Sequence, residues 1–203
     1  FSHMGETVKP YYYKVYLADY DIKAEMAPTE RACLMSFTMP ATDSANIVVD
    51  AFDKGSAIKV DAARQCVTGY SVRNSGGVPD NFRDYFVVTF DRPFTVSYEN
   101  HGEHSGAIVT FSCKRGEKVT ARVASSFISE KQAWQNLKEV EGKSLDDVKA
   151  EAKKRWNEVL GRVEVNDDNV DLLRTFYSCL YRSTLFPRKF YELTAEGDTV
   201  HYS

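Results

Sequence analysis

A change in hydrophobic period near residue 128 constrains the fold of this chain most strongly. From Tyr11 to about Ile128, apolar and polar residues alternate, and turn residues interrupt the pattern at short intervals. This period of two is typical of strands that bury one face. Beyond residue 128, the apolar residues recur at steps of three and four, as on one face of a helix. The pattern therefore predicts a β domain followed by helices.

Ten segments in the first part have the composition of strands, and Pro, Gly, Asn and Asp separate them. The predicted strands are Tyr12–Ala18, Ile22–Met26, Ala32–Met39, Asn46–Phe52, Ala57–Ala62, Cys66–Val72, Asp84–Asp91, Thr95–Glu99, Ala107–Cys113 and Val119–Phe127. Many short strands at such regular spacing predict an antiparallel β-sandwich.

Two helices follow the predicted sandwich. Ser129 and Gln132 have the spacing of a capping box, and they open a short helix that Gly142 interrupts. Ser144 caps a second helix, and Gly161 ends it. The apolar positions of this second helix form one stripe, so we expect that stripe to face inward.

A third helix is predicted after Asp171, with its end at Pro187. One broad face of this helix is apolar and carries Leu172, Leu173, Phe176, Tyr177, Leu180 and Tyr181. A face this wide is too apolar to remain in water, so we expect a large partner domain to cover it.

Composition excludes several classes of protein. Apolar residues make up 43% of the 203 residues, which is ample for a packed core. The net charge of -3 argues against a nucleic-acid-binding surface. The longest apolar runs, such as Phe86–Val88, are far too short to span a bilayer. The chain opens on Phe1-Ser2-His3-Met4, which does not resemble a signal peptide.

Four cysteines are spread widely, at Cys33, Cys66, Cys113 and Cys179. They include no C-x-x-C pair and are too sparse for a disulfide-stapled scaffold. Buried free thiols are therefore the expected state of these residues.

One irregular loop has residues that suit a sugar. Residues 74–83 contain a Gly-Gly pair, followed by Asn81, Phe82 and Arg83. An apolar ring can stack on the face of a sugar while amide and guanidinium groups reach its hydroxyls. We therefore name these three residues as candidate substrate-binding residues, with an exposed hairpin loop as the alternative.

Other polar clusters have simpler interpretations. His101 and His104 lie in a predicted hairpin turn, which does not suit a metal site. The acidic run Asp167–Asp171 lacks the Gly and Glu of a calcium loop and precedes a helix, so we interpret it as a cap. The pairs Asp19/Asp21 and Asp146/Asp147 lie in a turn and in a first helical turn, which does not suit general acid–base catalysis.

Several segments along nearly the whole chain form a recognisable series. They are Phe1-Ser2-His3 with Glu6, Pro10–Val15, Thr29–Ala32, Phe127–Ala133, Trp156–Val163 and Phe176–Arg188. In this order, they resemble glycoside hydrolase family 92, the exo-acting α-mannosidases. Three positions depart from the family pattern. Tyr11 stands where Gly is common, Arg182 stands where His is common, and no Trp occurs near Val78.

The resemblance implies a mainly β fold, with a supersandwich-like β-sandwich followed by helices that begin an (α/α) barrel. It divides the chain into a β-sandwich domain (1–128), a helical linker region (129–165) and the first helix and loop of the catalytic domain (166–203). The implied reaction is calcium-dependent hydrolysis of terminal α-mannosides with inversion. The catalytic acid, the base and the calcium ligands are expected downstream, so no catalytic or metal residue is assigned within this chain.

The implied partners are α-mannoside glycans and the rest of the catalytic domain, and oligomer formation stays open. A periplasmic or secreted location follows from the resemblance alone. The alternative function is a non-catalytic carbohydrate-binding or structural β-sandwich module. That alternative requires the helical tail to fold over the sandwich and bury Phe176, Tyr177 and Tyr181.

Overall fold

The computed structural model describes residues 1–53, 55–101, 104–185 and 189–202. All ten predicted strands are present in it. In chain order, the first eleven strands are β1 Thr7–Lys9, β2 Tyr12–Leu17, β3 Ile22–Pro28, β4 Ala32–Thr38, β5 Thr42–Asp53, β6 Ala57–Asp61, β7 Cys66–Ser71, β8 Asp84–Phe90, β9 Thr95–His101, β10 His104–Cys113 and β11 Lys118–Ser126. The remaining elements are α1 Glu130–Leu137, α2 Leu145–Leu160, α3 Val170–Ser183, β12 Tyr191–Leu193 and β13 Thr199–His201.

The strands of the first part form two antiparallel sheets, as predicted. The larger sheet has eight strands in the order β1-β2-β3-β4-β11-β8-β7-β6, and the smaller has the order β5-β10-β9. Strands β12 and β13 form a separate two-stranded hairpin. In the centre of the large sheet, β11 pairs with β4 on one side and with β8 on the other. These three strands lie far apart in the sequence.

Side-chain alternation gives the large sheet two apolar faces. In β8, Val88 and Phe90 face the smaller sheet and join a core that includes Phe111 and Phe94. Val87, the residue before Val88, faces the opposite way and packs with residues of α1 and α2. The eight-stranded sheet is therefore the middle layer between the small sheet and two helices.

The first two helices begin where their caps predict. The Ser129 hydroxyl accepts a hydrogen bond from the Gln132 backbone, but the Gln132 side chain does not complete a capping box. Its amide instead donates to Leu193 and Asn136, because packing against β12 places acceptors there. Ser144 does form a complete capping box, with Asp147 as its partner.

The third helix is the least buried of the described α-helices. Asn169 caps it by accepting from two backbone amides, so the helix begins one residue before Asp171. None of its residues is fully buried, although Tyr181 contacts Trp156 of α2 with ring centroids 5.0 Å apart. Its predicted end, Pro187, lies outside the described residues. Among the described helices, none has the length and low charge needed to cross a membrane.

The cysteine prediction was correct only in part. Cys66 and Cys113 are buried and Cys33 is half-buried, but Cys179 is exposed on α3. Burial raises the pKa of the Cys33 thiol to about 11. The prediction was wrong for Cys179 because it lies on a helix that packs on little of the described chain.

A carboxylate clamp joins the helical part to the sandwich. Glu139, just after α1, accepts hydrogen bonds at its Oε2 from the Thr29 hydroxyl (2.5 Å) and from the backbone amides of Glu30 (3.1 Å) and Arg31 (3.0 Å). The Arg31 guanidinium lies 3.5 Å from its other oxygen. The clamp therefore satisfies the backbone of the β3–β4 turn and fixes α1 against it.

Replacing Glu139 by Ala should lower the free energy of unfolding by about 1–3 kcal/mol, because three donors lose a charged acceptor. Urea denaturation of the 203-residue chain measures this loss. The exposed Glu141 is the matched control, and Glu141→Ala should change stability by less than about 0.5 kcal/mol. Equal effects of the two substitutions would contradict the clamp.

Candidate functional site

The loop between β7 and β8 carries the three predicted substrate-binding residues. Asn81 is exposed, and Phe82 and Arg83 are half-buried. The Phe82 amide donates to the Pro79 carbonyl (3.0 Å), which closes a turn just before β8. The loop therefore ends in an ordered turn that presents Asn81 and Phe82 at one end of the large sheet, where the interior strand β8 begins.

An aromatic cluster, defined by Phe82, Phe127 and Tyr202, forms at this end of the sheet. The Phe82 ring lies 5.7 Å from that of Phe127 and 6.3 Å from that of Tyr202. The Tyr202 hydroxyl donates to the Asn81 side chain at 3.1 Å. Phe127 is 48% exposed. The cluster brings together three segments of chain and keeps apolar ring surface beside amide and hydroxyl groups.

Arg83 lies along the sheet, and its contact with a sugar stays a prediction. Its guanidinium donates to the Phe82 carbonyl at 2.7 Å and lies 5.2 Å from the centre of the Tyr70 ring. These contacts hold Arg83 along the sheet, so it supports the loop from behind. Of the three predicted residues, Asn81 and Phe82 meet in the aromatic cluster and Arg83 lies behind them.

A buried carboxylate, Glu192 of β12, lies beside this cluster. It is 8% exposed, and both of its oxygens accept hydrogen bonds. The backbone amide of Phe127 donates to Oε1 at 3.0 Å, and the Asn136 amide donates to Oε2 at 2.6 Å. Asn136 also donates to the Ser125 carbonyl. Glu192 thus joins the hairpin, the end of β11 and α1 in one polar network.

A second carboxylate, Asp84, begins β8 two residues after Phe82. Its Oδ1 is buried and has no hydrogen-bond partner among the described residues. Burial and then the negative charge of Glu192 raise the pKa of Asp84 to about 6, while the Ser125 side chain acts in the opposite direction. Two carboxylates therefore share a poorly solvated joint between the sandwich and the hairpin.

The joint does not have the arrangement of a hydrolytic acid and base. Inverting glycosidases need two carboxyl groups on opposite faces of a sugar, with room for a water molecule. Here, Glu192 uses both oxygens in internal hydrogen bonds and Asp84 is enclosed. Across the described ranges, no group of three His, Cys, Asp or Glu side chains could hold a metal ion. Asp84 and Glu192 therefore do not fit a calcium site.

Sequence reasoning missed Phe127, Tyr202, Asp84 and Glu192. Asp84 carried a local signal, because it is a carboxylate at the start of a buried strand. Phe127 and Tyr202 carried none, because 75 residues separate them and only the hairpin brings them together. The two histidines of the predicted hairpin turn lie at strand ends, since β9 ends at His101 and β10 begins at His104. Gly102 and Glu103 lie outside the described residues.

Two family models match the chain in succession. Residues 1–126 match the N-terminal domain of glycosyl hydrolase family 92, and residues 132–203 match the catalytic domain of the same family. A protein of Arthroderma benhamiae, described as an uncharacterized secreted glycosidase, is 26% identical over 238 residues, covering 93% of this chain and 30% of that protein.

Solved structures of the same family overlay on the chain. A family GH92 inverting mannosidase from Bacteroides thetaiotaomicron is 37% identical, with a TM-score of 0.94 over 100% of this chain and 29% of that one. A family GH92 α-mannosidase from the same organism is 26% identical, with a TM-score of 0.79 over 98% of this chain and 31% of that one. The chain thus spans less than a third of the length of these relatives. The match of both domain models shows that the chain belongs to glycosyl hydrolase family 92.

Proposed function

We propose that this chain is the N-terminal part of an exo-α-mannosidase that hydrolyses terminal α-mannosides of glycans. The observation that carries the proposal is the overlay of the whole chain on an inverting mannosidase with a TM-score of 0.94. The order of the two family domains along the chain gives further support. In this proposal, the sandwich braces the catalytic barrel and the loop 74–83 contributes to the rim of the sugar site.

The non-catalytic module is the weaker alternative. It requires α3 to fold over the sandwich and bury its aromatic face. Instead, Phe176, Tyr177 and Tyr181 are only half-buried, and among the described helices α3 packs mainly on α2. An apolar face of this kind is expected where the rest of an (α/α) barrel continues the packing.

The proposed reaction proceeds with inversion at the anomeric carbon. A carboxylic acid protonates the leaving oxygen while a carboxylate activates water on the opposite face of the sugar. We assign both groups, and the ligands of the proposed calcium ion, to parts of the longer protein outside this chain. The proposed role of this chain is to hold and orient the sugar at the aromatic cluster.

Proton NMR of the longer protein acting on an α-mannoside tests the reaction and its stereochemistry together. We expect β-mannose to appear first, before mutarotation produces the α-anomer, because inversion turns an α-linkage into a β-product. Chelation of calcium should abolish turnover, and added calcium should restore it. A β-mannoside is the control substrate and should remain intact. Release of α-mannose as the first product would contradict inversion.

Replacing Phe82 by Ala should raise the KM for an α-mannoside by about 5- to 30-fold, because loss of aromatic stacking removes about 1–2 kcal/mol of binding. Steady-state kinetics of the longer protein measure the change. Tyr98, 52% exposed on β9, is the matched control on a remote sheet. Tyr98→Ala should leave KM unchanged. An unchanged KM in Phe82→Ala would remove the loop from the sugar site.

We also propose export to the periplasm or the cell surface. The proposal is supported by the description of the Arthroderma benhamiae relative as secreted. Fractionation of cells that express the full-length protein with its native N-terminus tests it. Activity confined to the cytoplasmic fraction would contradict export.

A further inference from the structure

The β12–β13 hairpin depends on buried polar contacts for its position. Each strand has only three residues, and two-stranded hairpins of this size are barely stable alone. Its attachment comes from Glu192 and from two backbone carbonyls. Tyr191 accepts from the Arg31 guanidinium at 2.8 Å, and Leu193 accepts from the Gln132 amide at 2.7 Å. The hairpin should therefore respond to changes in charge at this joint.

Asp84 is the group at the joint whose charge is least compensated. Its Oδ1 has no partner in the described part of the chain, whereas Glu192 accepts two hydrogen bonds. The side chains that α1 places at the joint, Asn136 and Gln132, are uncharged. Those that β11 places there, Ser125 and Ser126, are uncharged as well.

The basic side chains around the joint contact groups other than the Asp84 carboxylate. The Arg83 guanidinium lies against Tyr70 of β7 and the Phe82 carbonyl. The Arg31 guanidinium contacts the Tyr191 carbonyl and Glu139. Ser71, the β7 residue opposite Asp84, is uncharged. Glu192 is therefore the charged group that acts on Asp84, and the two repel each other when both are ionised.

A continuous set of contacts connects this joint to the aromatic cluster. Glu192 holds the backbone amide of Phe127, and the Phe127 ring packs on Phe82. Tyr202, next to the end of β13, contacts both Asn81 and Phe82. Movement of the hairpin would therefore be transmitted to the loop from two sides.

We propose that Asp84 and Glu192 are a proton-linked positioning pair, which sets how firmly the β12–β13 hairpin holds the Phe82 loop and hence how tightly an α-mannoside binds. Neither residue contacts the substrate in this proposal. With one proton on the pair, the hairpin stays docked. When Asp84 ionises, the cost of its buried charge and its repulsion from Glu192 together loosen the hairpin, and the loop loses the support of Tyr202.

The direction of the pH response follows from the raised pKa of Asp84, about 6 in the folded chain and about 3.9 in an unfolded one. A raised carboxyl pKa means that stability is fully present below the unfolded value and is lost as pH rises through the folded value. Docking should therefore weaken between about pH 4 and pH 7.

Hydrogen–deuterium exchange of the longer protein, corrected for intrinsic exchange rates, tests the joint. Protection of residues 191–202 should fall about three- to tenfold between pH 5 and pH 7.5. In Asp84→Asn this fall should disappear. Asp168, exposed in the loop before α3, is the matched control, and Asp168→Asn should respond as the wild type does. If Asp84→Asn misfolds, Glu192→Gln removes the repulsion but leaves Asp84 buried, so the fall in protection should become smaller than in the wild type without disappearing. An undiminished fall in Glu192→Gln would contradict the proposed pair.

The kinetic arm of the test rests on the proposed function. Between pH 5 and pH 7.5, KM for an α-mannoside should rise by a similar factor in the wild type and stay constant in Asp84→Asn, while kcat changes equally in both. Exchange in Asp84→Asn that still follows the wild-type response would overturn the proposal. A flat exchange response combined with an unchanged KM profile would overturn its link to substrate. Absence of any mannoside hydrolysis would refute the proposed function instead. The exchange measurement alone would then test whether Asp84 and Glu192 control the docking of the hairpin.

Discussion

Replacing Phe111 by Ala should lower the free energy of unfolding by about 3–5 kcal/mol, because the change removes a large ring from the centre of the sandwich. Phe111 of β10 is 1% exposed. Its ring lies 5.3 Å from that of Phe90 and 5.9 Å from that of Phe94, so it joins the small sheet to the large one. Truncation would leave a cavity that neighbouring aromatic rings fill only in part.

Urea denaturation of the 203-residue chain measures this loss. Tyr98→Ala is the control, because Tyr98 belongs to the neighbouring strand and is half-exposed. It should cost about 1 kcal/mol or less. Equal losses at the two positions would contradict a core located between the two sheets.

Replacing Glu192 by Ala should be the second most costly change, at about 2–4 kcal/mol. Hydrogen bonds to a charged acceptor contribute about 1.5–3 kcal/mol each, and the Ala variant leaves the Phe127 and Asn136 donors without Glu192. Relief of repulsion with Asp84 offsets part of that loss. The hairpin should detach first, since Glu192 is its buried side-chain anchor.

Glu196, exposed in the turn of the same hairpin, provides the matched control. Glu196→Ala should change the free energy of unfolding by less than about 0.5 kcal/mol. Glu192→Gln should be milder than Glu192→Ala, because its amide oxygen still accepts a hydrogen bond. Exchange data should show lost protection concentrated in residues 191–202. A uniform loss across the sandwich would contradict the anchoring role.

The strands were predictable because each carries a local pattern. In β10, buried Ala107, Val109, Phe111 and Cys113 alternate with less buried residues, and that alternation is visible in the sequence. The helix starts at Ser129 and Ser144 were equally local, since each cap lies within three residues of the amide it accepts from. The third helix was predicted after Asp171, but Asn169 caps it and it begins one residue before Asp171.

The order of the strands was not predictable in this way. β11 lies between β4 and β8, and nothing in the residues of β4 or β8 specifies β11 as their neighbour. The helical layer on the second face of the large sheet was also missed. Tyr85 and Val87 of β8 pack against α1 and α2 on this face, but their sequence does not specify that helices cover them.

The candidate site was predictable only where it is local. Asn81 and Phe82 were found because they belong to one irregular loop. Tyr202 and Glu192 lie more than 100 residues from the loop in the sequence. The Gln132 side chain, predicted to complete a capping box, instead donates to the Leu193 carbonyl of β12. The division of the chain at residues 128 and 165 stays a prediction, as does sugar contact by Asn81, Phe82 and Arg83.

The most direct measurement of the central claim is release of mannose from α-mannobiose, with the longer protein and the 203-residue chain assayed side by side at equal concentration. Intact mass first establishes that the short sample is the 23.0 kDa chain. The account predicts turnover by the longer protein and none by the short chain. Failure of the longer protein to release mannose would contradict the assigned reaction. Turnover by the verified short chain would contradict the placement of acid and base outside it.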